Sequence, residues 1–139
     1  MMSSSNLSLS NEQIEEMQCH VEDCLPEEGC GILGGFADRV EWVIPITNML
    51  HSSTRFQMDP REQIDAFFKI EEAGGKLIGI YHSHPNGPEF PSESDVRESA
   101  FPEAIHIIWH HLAEEWNYQA YRIDPVAGVV SVRIILHRP

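Results

Sequence analysis

Residues 77–85 read Leu77-Ile78-Gly79-Ile80-Tyr81-His82-Ser83-His84-Pro85, an apolar segment that ends in two histidines and a proline. A short run of aliphatic and aromatic residues after the breaker Gly74-Gly75 is typical of a buried β-strand. Side chains two positions apart in an extended segment point to the same side, so His82 and His84 can reach one metal ion if the strand continues to His84. The segment therefore predicts a buried strand that presents two imidazoles at its end.

The next segment adds a carboxylate and a hydroxyl. Residues 86–91 are interrupted by glycine and proline and predict an irregular loop, after which Ser92 and Asp95 have the spacing of a helix N-cap and an acidic third helical residue. That loop would bring Asp95 back towards the histidines. His82, His84 and Asp95 would then supply the three protein ligands of a catalytic zinc site, which leaves its fourth position to water. Each motif alone is common in proteins without a metal, but together they favour a metallohydrolase.

Length and charge exclude several classes of protein. A chain of 139 residues with 42% hydrophobic residues fits one domain with a sizeable core. Its net charge of -13 and its nine lysines and arginines argue against a nucleic-acid partner, because phosphate binding needs a basic face.

Cysteine usage and hydropathy predict the compartment. Cys19, Cys24 and Cys30 are odd in number and lack paired zinc-ribbon spacing, which argues against a disulfide framework and favours a reducing cytoplasm. The N-terminus lacks the basic and apolar regions of a signal peptide, and no apolar run is long enough to span a membrane. We therefore expect a soluble, cytoplasmic protein without a membrane partner.

The periodicity of the chain predicts a single α/β domain, with one mixed β-sheet flanked by helices. Residues 1–9 are expected to form a flexible N-terminal tail and residues 10–139 the catalytic domain. The predicted order is α-β-β-α-β-α-β-β-β, with residues 46–58 irregular. The helices are expected after Ser10, after Asp59 and after Ser92; the strands, besides the histidine strand, are expected at residues 30–35, 40–44, 104–110, 117–124 and 129–136.

Hydrolysis also needs a base that takes a proton from the attacking water. A carboxylate near the metal can accept this proton and later deliver it to the leaving amine. Glu27, Glu28, Glu89 and Glu93 all lie near the boundaries of the motifs. Spacing alone does not select among them.

A family resemblance supplies that assignment. The run from Pro26 to Gly35, the His82-Ser83-His84-Pro85 motif, and Ser92 with Asp95 together resemble the JAMM (MPN+) zinc metallopeptidases. The pattern of that family is a strand-edge Glu, then His-x-His-Pro far downstream, a Ser and an Asp, and every position is filled. The resemblance extends to residues 55–60 and is closest to the small stand-alone prokaryotic members.

The resemblance implies both the site and the reaction. His82, His84 and Asp95 would bind one Zn²⁺ per chain, Glu28 would hold and deprotonate the zinc-bound water, and Ser92 would donate its hydroxyl to the oxyanion. The implied fold is the MPN/JAB fold, with a cytidine-deaminase-like architecture. The implied substrate is a ubiquitin-like or sulfur-carrier protein, cleaved as an isopeptidase or deubiquitinase-like protease would, at the amide bond after its C-terminal Gly-Gly.

The same resemblance predicts how the substrate is held. Its extended tail would lie along a sheet edge, where only glycine fits a narrow approach to the metal. Residues 46–58 and residues 86–91 are the segments expected to line this groove.

Three other readings stay open or are weakened by the residues. The chain could be a noncatalytic MPN scaffolding module, although its complete ligand set argues against this, or a zinc amidase acting on small molecules or peptides. A deaminase would need Pro-Cys-x-x-Cys, and no cysteine follows Cys30. The sequence also leaves open whether the chain forms a homodimer.

Two further groups of residues are assigned to packing. His106, His110 and His111 lie in a strand-like alternation, which favours surface or satisfied core positions over a second metal site. Cys30, although it lies beside Glu28, is expected to be a small buried hydrophobe.

Overall fold

The computed structural model describes residues 6–124 and 126–138 of the chain. These residues form seven strands and three helices. They are β1 (Asn6–Ser10), α1 (Asn11–Cys24), β2 (Cys30–Phe36), β3 (Arg39–Ile46), α2 (Pro60–Glu72), β4 (Lys76–His84), α3 (Glu93–Arg97), β5 (Ile105–Leu112), β6 (Glu115–Asp124) and β7 (Gly128–His137). After β1, this order is the predicted one.

All seven strands belong to one mixed sheet that closes on itself in the order β1-β3-β2-β4-β5-β6-β7. β4 runs parallel to β5, and β1 runs parallel to both of its neighbours, whereas the other pairs are antiparallel. The prediction of a single α/β domain with a mixed sheet and flanking helices is therefore confirmed.

The strand β1 corrects the prediction of a flexible tail over residues 1–9. Residues 6–9 of that range are part of β1, which is paired with β3 and β7, while residues 1–5 lie outside the described residues. Leu7 and Leu9 are fully buried in the main core. The alternation of these two leucines with small polar residues is typical of a strand, but it is too short to stand out in a serine-rich segment. Its partners come from distant parts of the chain.

The histidine strand β4 lies between β2 and β5, so its backbone is hydrogen-bonded on both sides. Its pairing with β5 continues as far as His84, which confirms that both histidines are in an extended segment. Gly31 of β2 lies against the Tyr81 ring, and a Cβ at Gly31 would come within 2.2 Å of that ring. A glycine is therefore needed where β2 crosses Tyr81.

The helices begin where the sequence predicts. Ser10 and Gln13 form a capping box at the start of α1, and Asp59 caps α2 with Pro60 in its first turn. Residues 47–59 between β3 and α2 form a loop closed by an isolated bridge between Asn48 and Met58. Within the described residues, no helix has the length and apolar character needed to cross a bilayer.

Substitution of Leu9 tests the role of β1. Leu9→Ala removes a fully buried side chain from the core, so we expect it to lower the free energy of unfolding by about 2–5 kcal/mol. Ser8→Ala, on the half-buried neighbour, is the matched control and should change it by less than about 1 kcal/mol. Urea denaturation of both variants measures the difference. Equal, small effects would show that β1 contributes little to the fold.

Candidate metal centre

Three buried donor atoms converge at the end of β4. The Nε2 atoms of His82 and His84 lie 3.1 Å apart, and each lies 3.1 Å from Oδ2 of Asp95. Zinc bonds of 2.0–2.1 Å in a tetrahedral site place neighbouring donor atoms about 3.3 Å apart. Two imidazoles and a carboxylate are also ligands that zinc accepts readily. The donor set and its spacing therefore fit one zinc ion.

The two imidazoles are oriented by their neighbours. Nδ1 of His84 lies 2.7 Å from the carbonyl oxygen of Pro88. Because a carbonyl only accepts, Nδ1 carries the proton, and the Nε2 lone pair is left for a metal. The ring of His82 stacks against Phe56, with ring centroids 4.5 Å apart. Both rings are thus held with Nε2 towards the same point.

Asp95 is positioned by the cap of α3. The Ser92 N–H donates to Asp95 Oδ2 at 2.8 Å, and the Asp95 N–H donates to Ser92 Oγ at 3.1 Å. This is the capping box that the sequence predicts, and it confirms the helix start at residue 93. The cap fixes the carboxylate that faces the histidines, so a local helix signal also builds the site.

The electrostatics of the centre keep Asp95 ionised. Burial by itself would raise the pKa of the Asp95 carboxyl, but hydrogen bonds and charge from His82, His84 and the Ser92 N–H hold it well below its usual range. Burial lowers the pKa of His82 against the opposing effect of Asp95. For His84, burial also acts downward, but Asp95 and the Pro88 carbonyl together raise the pKa.

Glu28 is the buried acid beside this centre. Glu28 lies between α1 and β2, and one carboxylate oxygen lies within 4.8 Å of ring nitrogens of both His82 and His84. Its Oε1 has no hydrogen-bond partner among the described residues. Burial raises the pKa of Glu28 to about 8, with His84 acting downward and Asp95 upward. A buried carboxyl in this position can hold a proton near neutral pH.

The other three acids considered from the sequence lie outside the centre. Glu27 is partly exposed and contacts the His51 ring, with 3.0 Å between Oε1 and Nδ1. Glu89 and Glu93 are exposed. Among the four candidates, only Glu28 combines burial with proximity to both histidines.

The loop of residues 47–59 joins the parts of the centre, which the sequence did not indicate. The Asn48 amide donates to the carbonyl oxygen of Glu28 at 3.0 Å and to that of Arg55 at 3.1 Å. The Glu28 N–H donates to the carbonyl oxygen of Ser52 at 2.8 Å. Together with the Phe56 stack on His82, these contacts tie Glu28 and His82 to a single loop. The sequence offered one signal for this role, the asparagine at position 48, which follows β3 and whose side chain can bond several backbone groups of a loop.

A cavity of 560 Å³ opens beside the donor atoms of the centre. His82 and Asp95 form part of its wall. Of the two segments predicted to line a groove, residues 46–58 contribute Leu50 and residues 55–58, whereas residues 86–91 contribute none of the lining. An ion pair between Arg55 and Glu98, with 2.6 Å between Nη2 and Oε1, joins the loop to the residue after α3 beside this cavity.

The second histidine group does not form another metal cluster within the described residues. His106 and His110 are buried in β5, and His111 stacks on Trp116 with ring centroids 4.6 Å apart. His106 and His110 are core positions, as expected, but they are not satisfied ones, because neither Nε2 has a hydrogen-bond partner in the part of the chain that the structure describes.

Cys30 is a buried thiol, as the sequence predicts. Burial raises its pKa to about 12, so the thiol stays protonated at neutral pH, and Sγ donates to the carbonyl oxygen of Ile46 at 3.5 Å.

Comparisons with known proteins agree with this geometry. The sequence model of the family described as prokaryotic homologs of the JAB domain matches residues 10–124. The chain belongs to the prokaryotic JAB family. It is 30% identical over 137 residues to a desampylase of Haloferax volcanii, covering 91% of this chain and 99% of that protein.

Two other relatives match this JAB domain over about two thirds of its length and over nearly all of it. A CysO-cysteine peptidase of Mycobacterium tuberculosis is 34% identical over 97 residues, which span 68% of this chain and 66% of that protein. The solution structure of protein DSY2949 from Desulfitobacterium hafniense superposes with a TM-score of 0.86 at 36% identity, covering 96% of this chain and 94% of that one.

A more distant structure identifies the fold. AF2198, a JAB1/MPN domain protein from Archaeoglobus fulgidus, superposes with a TM-score of 0.59 at 20% identity, covering 93% of this chain and 99% of that one. The JAB/MPN fold predicted from the sequence is confirmed.

The raised pKa of Glu28 predicts how the metal-free JAB domain responds to pH. The folded carboxyl keeps its proton up to about pH 8, whereas the unfolded one loses it near its ordinary value of 4.5. The stability associated with neutral Glu28 is therefore complete below about pH 4.5 and is lost as the pH rises towards 8. The side chain introduced in Glu28→Gln has no charge at any of these pH values. The free energy of unfolding of Glu28→Gln, relative to that of the wild type, should therefore increase between pH 5 and pH 8.

Urea unfolding in the presence of a chelator measures this difference. The other titratable groups are common to both proteins, so the comparison isolates Glu28. If the free energies of unfolding of the two proteins changed with pH in parallel, the pKa of Glu28 would not be raised by folding, which would contradict the prediction.

Proposed function

We propose that this JAB domain is a zinc-dependent isopeptidase that cleaves the amide bond after the C-terminal Gly-Gly of a ubiquitin-like or sulfur-carrier protein. The observation that carries the proposal is the buried carboxyl group of Glu28 beside the donor triangle of His82, His84 and Asp95; its Oε1 has no hydrogen-bond partner among the described residues. A site built only for structure would not need an unsatisfied acid at this position.

His82, His84 and Asp95 would hold one zinc ion. Their donor atoms already lie at nearly the spacing that tetrahedral zinc needs. Zinc bound there would act as a Lewis acid towards the scissile carbonyl and would lower the pKa of water, so that a hydroxide nucleophile is available near neutral pH. The Pro88 carbonyl and the Ser92 N–H orient two of the three ligands, as supporting hydrogen bonds do in metal sites generally.

Glu28 is assigned the proton transfer. Its free Oε1 can accept a proton from the attacking water and then deliver that proton to the nitrogen of the leaving amine. A pKa raised by burial suits this task, because an efficient base and acid has a pKa near the working pH. The hydrogen bonds from Asn48 and to Ser52 keep its backbone in place during both steps.

Ser92 is assigned to the oxygen of the scissile carbonyl. Its Oγ accepts a hydrogen bond from the Asp95 N–H, so its own hydroxyl hydrogen remains free to donate. Ser92 Oγ lies 3.0 Å from Ser94 Oγ, and either hydroxyl can be the donor of the hydrogen bond between them. A fixed hydroxyl beside the metal would stabilise negative charge as it develops on the substrate oxygen.

The proposed substrate class follows from the relatives. Two relatives are a desampylase and a CysO-cysteine peptidase, and the metallopeptidase family that the sequence resembles acts on ubiquitin-like and sulfur-carrier proteins. The cavity beside His82 and Asp95 is of a size that can hold several residues of an extended tail. We propose that the catalytic domain begins with β1, and we retain a cytoplasmic location as a prediction. Homodimer formation is left open.

Two alternatives from the sequence are distinguished by experiment. A noncatalytic scaffolding module would not need the full set of donor atoms, and its zinc-loaded form would cleave nothing. An amidase of small molecules or peptides would cleave short acyl amides but would gain no rate from a folded ubiquitin-like partner.

Zinc content tests the metal assignment. The wild type should bind one zinc per chain, and Asp95→Asn should bind it at least about tenfold more weakly, because the charged ligand becomes neutral. His110→Gln, which changes a buried histidine outside the donor triangle, is the matched control. Metal analysis after dialysis against buffered zinc measures both. Full zinc affinity in Asp95→Asn would exclude Asp95 as a ligand.

Hydrolysis of a ubiquitin-like protein that carries a C-terminal Gly-Gly amide conjugate tests the reaction. Glu28→Gln keeps the size of the side chain but removes the base, so we expect a loss of about 10²–10⁴-fold in kcat at full zinc occupancy. Glu27→Gln, at the partly exposed neighbouring acid, should retain nearly the wild-type rate.

The same hydrolysis assay tests the proposed role of Ser92. Ser92→Ala should lower kcat by about 10²–10³-fold, whereas Ser94→Ala should have a much smaller effect. Equal losses in Glu28→Gln and Glu27→Gln, or no cleavage by the zinc-loaded wild type, would contradict the proposed reaction.

A further inference from the structure

The cavity beside His82 and Asp95 contains polar atoms that the rest of the protein leaves unsatisfied. Its walls are largely apolar and include Phe56, Met58 and Phe101. His106 and Ser99 also line it, and both the Nε2 of His106 and the Oγ of Ser99 are buried without a hydrogen-bond partner among the described residues. An unsatisfied buried polar atom is costly unless a ligand or water pairs with it.

His106 differs from its neighbour in one respect. His106 and His110 lie four residues apart on β5, so both side chains are on the same face of that strand. They are about equally buried, 5% and 6% exposed, and each has an unpartnered Nε2. Only His106 belongs to the lining of the cavity. The pair therefore separates a buried histidine beside the cavity from one that lies away from it.

Glu28 indicates which half of the substrate occupies this cavity. Glu28 is absent from its lining but lines a separate cavity of 220 Å³ together with His20, Cys24 and Asn48. In the proposed reaction, Glu28 delivers a proton to the leaving amine, so the amine half must depart on the side of Glu28. The acyl half, which is the tail of the ubiquitin-like protein, is then left on the side of His82 and Asp95.

The charges around the cavity indicate the chemistry of the bound group. Arg55 and Glu98 already form an ion pair with each other, and Asp95 faces the two metal-binding histidines. The described lining thus leaves no unpaired charge for an ionised side chain. Besides the side-chain amides of Gln57 and Gln63, the lining has the buried, unpartnered imidazole nitrogen of His106 and hydroxyl of Ser99. These two groups can exchange donated and accepted hydrogen bonds with an amide or a hydroxyl.

We propose that this cavity binds the substrate tail ahead of its Gly-Gly, and that His106 and Ser99 select a tail side chain bearing an amide or a hydroxyl. The inference rests on the proposed function and adds a specificity determinant to it. An apolar side chain of equal size would fill the same space but would leave both buried atoms unpaired.

Acyl-peptide aminocoumarin amides that end in Gly-Gly provide the test. Each of the three positions before Gly-Gly is changed in turn between Gln and Leu, which are similar in size. The zinc-loaded wild type should prefer Gln at one position by about tenfold in kcat/KM. His106→Leu should abolish or reverse that preference, whereas His110→Leu should retain it. An unchanged ratio in His106→Leu, or a wild-type preference for Leu at all three positions, would overturn the inference.

A second variant and a binding measurement keep this test independent of folding and of catalysis. Ser99→Ala should reduce the same preference even if His106→Leu fails to fold, which circular dichroism detects. Fluorescence anisotropy of labelled peptides bound to zinc-loaded Glu28→Gln measures the preference without cleavage. Preference in binding without cleavage by the wild type would support the inference and contradict the proposed reaction. Cleavage without preference would contradict the inference alone.

Discussion

The uninterrupted pairing of β4 with β5 as far as His84 is the constraint on which the centre depends. Only an extended backbone places side chains two residues apart on the same side, and only a strand held on both edges keeps them there. The two imidazoles are therefore fixed by the sheet before any metal is present. Asp95 and Glu28 are then brought to the imidazoles by segments outside the sheet, each with its own hydrogen bonds.

Features that depend on residues close together in the sequence could be predicted, and features that depend on distant residues could not. His82, His84 and the Ser92–Asp95 cap are set by residues within a few positions of one another, so the strand, the loop and the helix start were predictable. Glu28 could be separated from its neighbours only by a family resemblance. Its burial depends on Asn48 and Ser52, which follow it by about 20 residues in the chain. No local pattern records such a contact.

The missed features depend on partners that are distant in sequence. β1 is too short to be recognised alone, and its partners are β3 and the last strand. His106 reads as a routine strand position, because burial can be inferred from alternation but the absence of a partner cannot. The loop of residues 47–59 has no regular pattern, yet it contacts Glu28, His82 and Glu98 through different residues. Two residues of the centre and one residue of the adjacent cavity therefore contact one irregular segment. A segment that carries no recognisable motif can thus still determine the geometry of the site.

The parallel pairing of β1 with β7 also affects the order in which the chain can fold. Asn6 is opposite Arg133 and Ser10 is opposite His137, so the pairing of β1 is complete only after β7 has been synthesised. Contacts between residues so far apart in sequence are slow to form, because a long loop has to be closed first. Until β7 emerges, Leu7 and Leu9 have only part of their final packing. While the strands between β3 and β7 are being synthesised, one edge of β1 therefore lacks its partner, and such an apolar strand is a natural target for a chaperone.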